Sequence, residues 1–401
     1  MSPASKVRKK KHNVRRSSSE WIDHEPAAVR ERPSWFAGSI AAVLDNTDAL
    51  SKAAGPRELE QATCELLGEQ MHRAIHDVGR DLRFNWLFEE LTVAAADRVR
   101  DADDLTGDWL LLHGLAAIGS PALRSFARHQ INGLLKVARR RPAFARQPRW
   151  LASSHLVKAT GEVWRMQDAY GTRLAVLAAM SYPHGANPSA FLFDIDACGF
   201  ITLTHAGAYD DLPQAAAAWR TLVGDQAAGA EPVEVHTGEQ LSCLAQCDIG
   251  SDMVNGDEAR DVLDNWFRAN RCVHDIAHAL RKSPRLWPDP ESLYHDLDAE
   301  PMVTEFSSWY ADRHDTPPEQ ETVEALAEEW LEGTLPETRY LISPHRVEFH
   351  TELIDGDWIP DHPATLAVKS MFAEWALWLA ERAGLPSELV GQVTDAAPTP
   401  S

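Results

Sequence analysis

The sequence predicts a mainly helical α+β protein with a small central antiparallel β-meander. Three observations carry this. Apolar and polar residues alternate with period two between Gly161 and Gly207, interrupted by turn-forming residues. The runs on either side of that stretch carry apolar residues at helical spacing. Strands and helices do not alternate in the regular βαβ manner that a parallel sheet requires.

The meander is read strand by strand. Trp164 and Met166 alternate with Arg165 and Gln167, and Asp168-Ala169-Tyr170-Gly171 supplies a turn. Arg173 to Tyr182 is nearly all apolar, as a central strand covered on both faces should be. After the breaker-rich Pro183 to Pro188, Phe191, Phe193 and Ile195 point one way, and Leu192, Asp194 and Asp196 the other. Cys198-Gly199 then turns the chain into a fourth strand, Phe200 to His205. The two aspartates read as the solvated face of a half-exposed strand.

Before the meander, Leu59, Ala62, Leu66, Ile75, Val78 and Leu82 share a helical face started by Gly55-Pro56, and 85–100 and 109–138 continue a helical domain. Lys136, Arg139, Arg140, Arg141, Arg146 and Arg149 form a basic run at its end, read as a helix terminus favoured by the dipole rather than as a phosphate clamp. After the meander come a short helix, Leu212 to Val223, and a segment, Val233 to Cys247, that fits strand or helix equally. Glu258 to Arg281 is the clearest helix, with Val262, Trp266, Ala269, Val273, Ala277 and Leu280 on one stripe. The remainder holds Val323 to Trp330, a strand expected at Val347 to Leu353, and a helix from Ala364 to Ala383 stopped by Gly384. The resulting organisation is a basic tail at 1–32, a helical domain at 33–149, an α+β domain at 150–254, a mainly helical region at 255–395 and a short tail at 396–401. The runs "LISPHRVEFH" and "WIPDHPATLAVKSMFAEWALWLAERAGL", within Leu341 to Leu385, resemble the C-terminal part of uncharacterised actinobacterial proteins; the resemblance implies no activity and no site.

Composition narrows the class of function. With 44% hydrophobic and 25% charged residues in 401, the chain has the makings of an ordinary soluble globular protein rather than a disordered one. Seven basic residues precede Glu20 with no acid among them, so the rest is more acidic than the net charge of -21. An acidic body is a poor general surface for nucleic acid. The tail, through Lys9, Lys10, Lys11, Arg15 and Arg16, is the expected place for a weak nucleic-acid contact or a protein partner of unknown identity. The 5 cysteines (Cys64, Cys198, Cys243, Cys247, Cys272) are odd in number, and the chain opens without an apolar signal segment; together these predict thiols in a reducing cytoplasm. No run reaches the ~18 apolar residues of a membrane span. The 14 Trp are spread along the chain as packing anchors.

Four constellations can carry chemistry. Cys243 and Cys247 are four apart, as are His274 and His278 in the long helix, and together they supply the ligand types of a zinc site, with Cys272 to spare. His274-Asp275-Ile276-Ala277-His278 resembles the HExxH zincin signature, but with aspartate where that signature has its general-base glutamate; Glu291, Glu300 or Glu305 would have to supply the third ligand. Asp194-Ile195-Asp196 resembles the first motif of haloacid-dehalogenase-type phosphatases, although a hairpin is not that motif's setting. His76-Asp77 resembles the pair of HD-domain phosphohydrolases without the additional ligands those sites need, and reads as an amphipathic helix ending near Gly79. The reading that best fits the whole is a soluble cytoplasmic binding or regulatory protein with a basic tail for electrostatic contacts, not an enzyme. The alternative is a metal-dependent hydrolase or structural-zinc protein built on the His274/His278 helix.

Overall fold

The computed structural model describes residues 32–78, 83–102, 107–141, 144, 147–183, 188–247, 249, 260–281, 286–288 and 297–397. The basic tail, apart from Arg32, lies outside the described residues.

Five helices come first: α1 (Phe36–Asp45), α2 (Pro56–Val78), α3 (Phe84–Asp101), α4 (Gly107–Ile118) and α5 (Pro121–Ala138). Almost every residue of α4 is buried, so it is the axis about which the others pack. Ser120-Pro121 starts α5, because proline at the first turn loses no helical hydrogen bond. The basic run after α5 has a local use: Arg141 donates to the Val99 carbonyl at 2.5 Å and the Arg100 carbonyl at 3.1 Å, in the last turn of α3.

The sheet follows as β1 (Lys158–Gln167), β2 (Arg173–Ser181), β3 (Ser189–Asp196) and β4 (Thr202–Tyr209), the antiparallel meander expected, with β5 (Val233–Glu234) added beside β1. The order is β4-β3-β2-β1-β5. Two helices cover it. On one face Ala215, Ala216 and Trp219 of α6 (Leu212–Val223) pack on Leu177, Ala190 and Leu192. On the other, Ala269, Cys272, Ile276 and Leu280 of α8 (Arg260–Leu280) pack on Val176, Phe191, Phe193 and Ile195. The short α7 (Ser242–Gln246) leads to α8.

Covering both faces changes the status of Asp194 and Asp196, which are 0% and 8% exposed and not on a solvated face. The α6 helix closes over that side. Asp194 accepts from Arg173 at 2.8 and 2.6 Å and from the Trp219 indole at 2.9 Å, so its carboxylate is fully engaged in holding β2, β3 and α6 together.

The α8 helix also completes the first core, where Val262, Leu263, Trp266 and Phe267 join α1 to α5. Its sequence boundary groups it with the C-terminal helices, but its packing ties the N-terminal helices to the sheet. At that junction lies a buried polar group. Arg271 donates to Glu60 at 3.0 Å, the Tyr182 hydroxyl donates to the same carboxylate at 2.7 Å, and Arg268 reaches Gln61 at 2.8 Å.

The C-terminal helices are α9 (Glu300–His314), α10 (Gln320–Leu331), α11 (Pro344–Asp357), α12 (Pro363–Arg382) and α13 (Ser387–Asp395). They share a core with Phe306, Trp330, Phe372 and Trp375 at its centre. The strand expected at Val347 to Leu353 is helical instead. Ser343 caps α11 by accepting from the Arg346 N–H at 3.2 Å, and Val347, His350 and Ile354 fall at helical spacing on the buried side. Among the described residues no helix is long and apolar enough to cross a membrane.

Candidate metal centre

The β3 strand ends at Asp196, and the chain turns through Ala197-Cys198-Gly199. Asp196 organises that turn by accepting the Cys198 N–H on Oδ1 at 2.7 Å. The N-terminus of α11 rests against the turn. His345, the second residue of that helix, places Nδ1 3.1 Å from Oδ2 of Asp196, and Ser343 places its hydroxyl 3.3 Å from the Cys198 sulfur. Gly199 makes the close approach possible, since a Cβ there would sit 2.1 Å from the Phe349 ring. Phe200 adds an edge-to-face contact with the same ring, centroids 5.7 Å apart.

One ligand atom each from Asp196, Cys198 and His345 therefore lies within 4.8 Å of the other two. The three donor atoms are gathered closely enough for one ion to reach them, and His345 Nδ1 is at hydrogen-bond distance from Asp196 Oδ2. Burial pushes the Asp196 carboxyl up, but the His345 hydrogen bond and the Cys198 N–H more than offset this and hold it below its ordinary range. The hydrogen bond to Asp196, and then that to Cys198, raises His345 to about 10. Beneath them Arg346 is fully buried; its guanidinium lies 4.4 Å from the centre of the Trp330 ring and donates to the Leu341 carbonyl at 2.9 Å and the Thr334 hydroxyl at 2.8 Å. Asp168, 6% exposed in the turn before β2, is pushed up to about 6 by burial.

A carboxylate oxygen, a sulfur and an imidazole nitrogen form a mixed donor set suited to a borderline-soft ion such as zinc. Oδ1 of Asp196 is taken by a backbone N–H and Oδ2 by His345 Nδ1, so an ion would replace the proton shared by His345 and Asp196, and the Ser343 hydroxyl can donate to the sulfur. The His345 side is open, with its side chain 64% exposed.

The four residues singled out in the sequence are placed apart. Cys243 is buried in the sheet core, its thiol donating to Glu337 at 3.2 Å, and burial followed by the Glu337 charge raises its pKa well above the ordinary value. Cys247 is partly buried at the end of α7. His274 and His278 are both exposed, on the opposite side of α8 from Ile276 and Leu280. One helix face meets the core that holds Cys243 and the other meets solvent, so these two pairs do not form a group of converging donors. Asp275, at the position where the zincin signature has glutamate, pairs with Arg124 at 3.5 Å. Cys272 is buried beside Arg271, with burial pushing its thiol up to about 11. Glu300 opens α9 and Glu305 pairs with Arg382 at 2.6 Å, while Glu291 lies outside the described residues. His76 lies in α2, which ends at Val78.

Sequence reasoning missed Cys198 and His345. The local signal was present, in an Asp-x-Cys turn and in a Ser-Pro-His helix start, but nothing in the sequence pairs them. No family model, curated protein or solved structure matches the chain.

Proposed function

We propose that this is a metal-responsive binding or regulatory protein in which Asp196, Cys198 and His345 hold a zinc-class ion. The observation that carries this is the convergence of three different donor atoms within 4.8 Å. Its consequence follows from where the donors come from. Asp196 and Cys198 belong to the sheet, and His345 to the C-terminal helices, whose core is separate. The two cores interlock through few apolar residues: Tyr170 of the sheet region enters the C-terminal core, and Leu335 enters the sheet core. An ion at the centre would fix one against the other, coupling metal occupancy to the docking of the C-terminal helices. The basic run Lys9, Lys10, Lys11, Arg15 and Arg16 would supply an electrostatic contact to an acidic partner.

The exposure of His345 favours a second reading, a metal-dependent hydrolase. Three protein donors with an open direction are the arrangement that leaves room for an activated water. Elemental analysis of purified, untagged protein after zinc loading and dialysis tests the centre. Retained zinc, lost in Cys198→Ser and Asp196→Asn, is expected; zinc retention unchanged in both variants would sink the assignment. Hydrolysis of bis(p-nitrophenyl) phosphate by the zinc-loaded protein, absent from Cys198→Ser, would favour the hydrolase over the regulatory clamp.

A further inference from the structure

At the other end of the β3–β4 hairpin lies a second arrangement of a different kind. Asp196 is paired with Thr202, whereas Tyr209 is paired with Ala190, so Tyr209 stands at the opposite end of the strand from the metal centre. His205, Gly207 and Tyr209 follow one another on one side of β4, which is an edge strand. The His205 Nδ1 is in contact with Oδ2 of Asp261 at the start of α8, and its Nε2 lies 3.0 Å from the Tyr209 hydroxyl. Asp261 is held in place by the outward-facing Ala206 N–H at 3.3 Å, and Asn265 donates to the Ala206 carbonyl at 2.8 Å, so α8 caps the strand edge. Gly207 leaves the gap through which histidine and tyrosine meet: a Cβ there would come within 3.3 Å of the Tyr209 ring and 3.5 Å of the His205 Nε2. His205 and Tyr209 are both half-buried, and therefore reachable from solvent.

The order of contacts is that of a nucleophile, a base and an orienting carboxylate. The carboxylate on Nδ1 fixes the proton there, which leaves Nε2 as the acceptor for the tyrosine O–H. Burial first, then the charges of Asp261 and Asp194, raise the Tyr209 pKa, so the phenol keeps its proton until a reaction draws it off.

We propose that Tyr209 is a nucleophile activated by His205 and oriented through Asp261, and that it accepts acyl groups from uncharged esters with a good leaving group. Tyr209 oxygen attacks the carbonyl carbon as its proton passes to His205 Nε2. The carbon–oxygen bond to the leaving group then breaks, and the leaving group departs with the electron pair and takes up that proton. Water releases the acid from the O-acyl tyrosine and restores the hydroxyl. The carboxylate of Asp261 nearby favours a neutral electrophile over an anionic phosphate ester.

The probe is p-nitrophenyl acetate, with peptide mapping by mass spectrometry to locate the acetyl group on the full chain. Tyr209 should be acetylated faster than the other tyrosines, and faster in the native protein than in guanidinium chloride, where the relay is broken. A tyrosine that merely caps a strand edge would instead be protected by folding. His205→Gln and Asp261→Asn, each checked by its melting transition, should slow Tyr209 labelling by about 100-fold, the lower end of what a positioned base contributes. Tyr209→Phe should remove the adduct and leave zinc retention unchanged. Native labelling no faster than in denaturant, or a folded His205→Gln protein that labels Tyr209 at the wild-type rate, would overturn the proposal.

Discussion

His345 Nδ1 lies 3.1 Å from Oδ2 of Asp196, and this contact joins the turn after β3 to the first turn of α11, two elements that belong to separate cores. Because the His345 side chain is 64% exposed, truncating it removes a donor without opening a cavity. Zinc at about 100 times its dissociation constant should stabilise the wild-type protein by about 2.7 kcal/mol. His345→Ala should fold and show no such shift in a thermal melt. The C-terminal helices should also gain protease resistance with zinc in the wild type alone; equal zinc shifts in both proteins would refute the role of His345.

Gly199 is another point where the sheet and the C-terminal helices touch. A methyl group there meets the Phe349 ring at 2.1 Å, too close for any side-chain adjustment short of moving the ring. Gly199→Ala should therefore destabilise the protein by about 1–3 kcal/mol. Phe349→Leu should recover part of that loss in the double variant, a non-additivity that a urea titration of all four proteins would reveal.

Asp168 gives a pH signature. Burial raises its carboxyl from 3.8 to about 6, so the fold favours the protonated form. Its contribution is full below pH 3.8 and is lost as the pH rises through about 6. Asp168→Asn keeps an acceptor for the Arg173 N–H, which lies 3.1 Å from the carboxylate, but carries no charge. The variant should match the wild type near pH 4 and exceed it at pH 8, by on the order of 2 kcal/mol. Parallel stability curves across that range would contradict this.

His350 works in the opposite direction. It is 0% exposed, stacks on Trp330 with centroids 4.4 Å apart, and among the described residues neither ring nitrogen has a hydrogen-bond partner. Burial, helped by the Arg346 charge, holds its pKa well below 6.5. The stability it contributes is present above pH 6.5 and is lost as the pH falls. His113, pushed down to about 3 by burial, adds to the same acid sensitivity. His350→Leu removes two unpaired polar atoms and should stabilise the protein by about 1 kcal/mol at pH 7, more at pH 5. A chemical denaturation at the two pH values measures the difference.

Glu60 anchors the junction of α2, β2 and α8. Its carboxylate and the Arg271 guanidinium are both almost fully buried, 3.0 Å apart. Glu60→Gln keeps the shape but removes the nearest counter-charge of Arg271, leaving it only Asp275 at 3.9 Å, and should cost about 3–5 kcal/mol in a urea unfolding experiment. A loss below 1 kcal/mol would mean that the surrounding hydroxyl and amide groups solvate both cations.

Local pattern by itself determined the meander and most helices. The almost unbroken apolar run in 173–182, between turn-forming residues, fits a strand covered on both faces, and the stripe from Val262 to Leu280 fits a helix with one buried side, so β2 and α8 were legible. Val347 to Leu353 was not, because a short run with apolar residues fits both periods until the Ser343 cap is counted. The site was decided by tertiary structure. Four-residue spacing puts His274 and His278 on one side of α8, but which side meets the core depends on the sheet packed against it, and the sheet took Ile276 and Leu280. Burial of Asp194 and Asp196 depended likewise on α6 folding back over β3. Cys198 and His345 meet only because a glycine lets the end of α11 settle onto a distant turn, and no periodicity along the chain encodes a contact between elements so far apart.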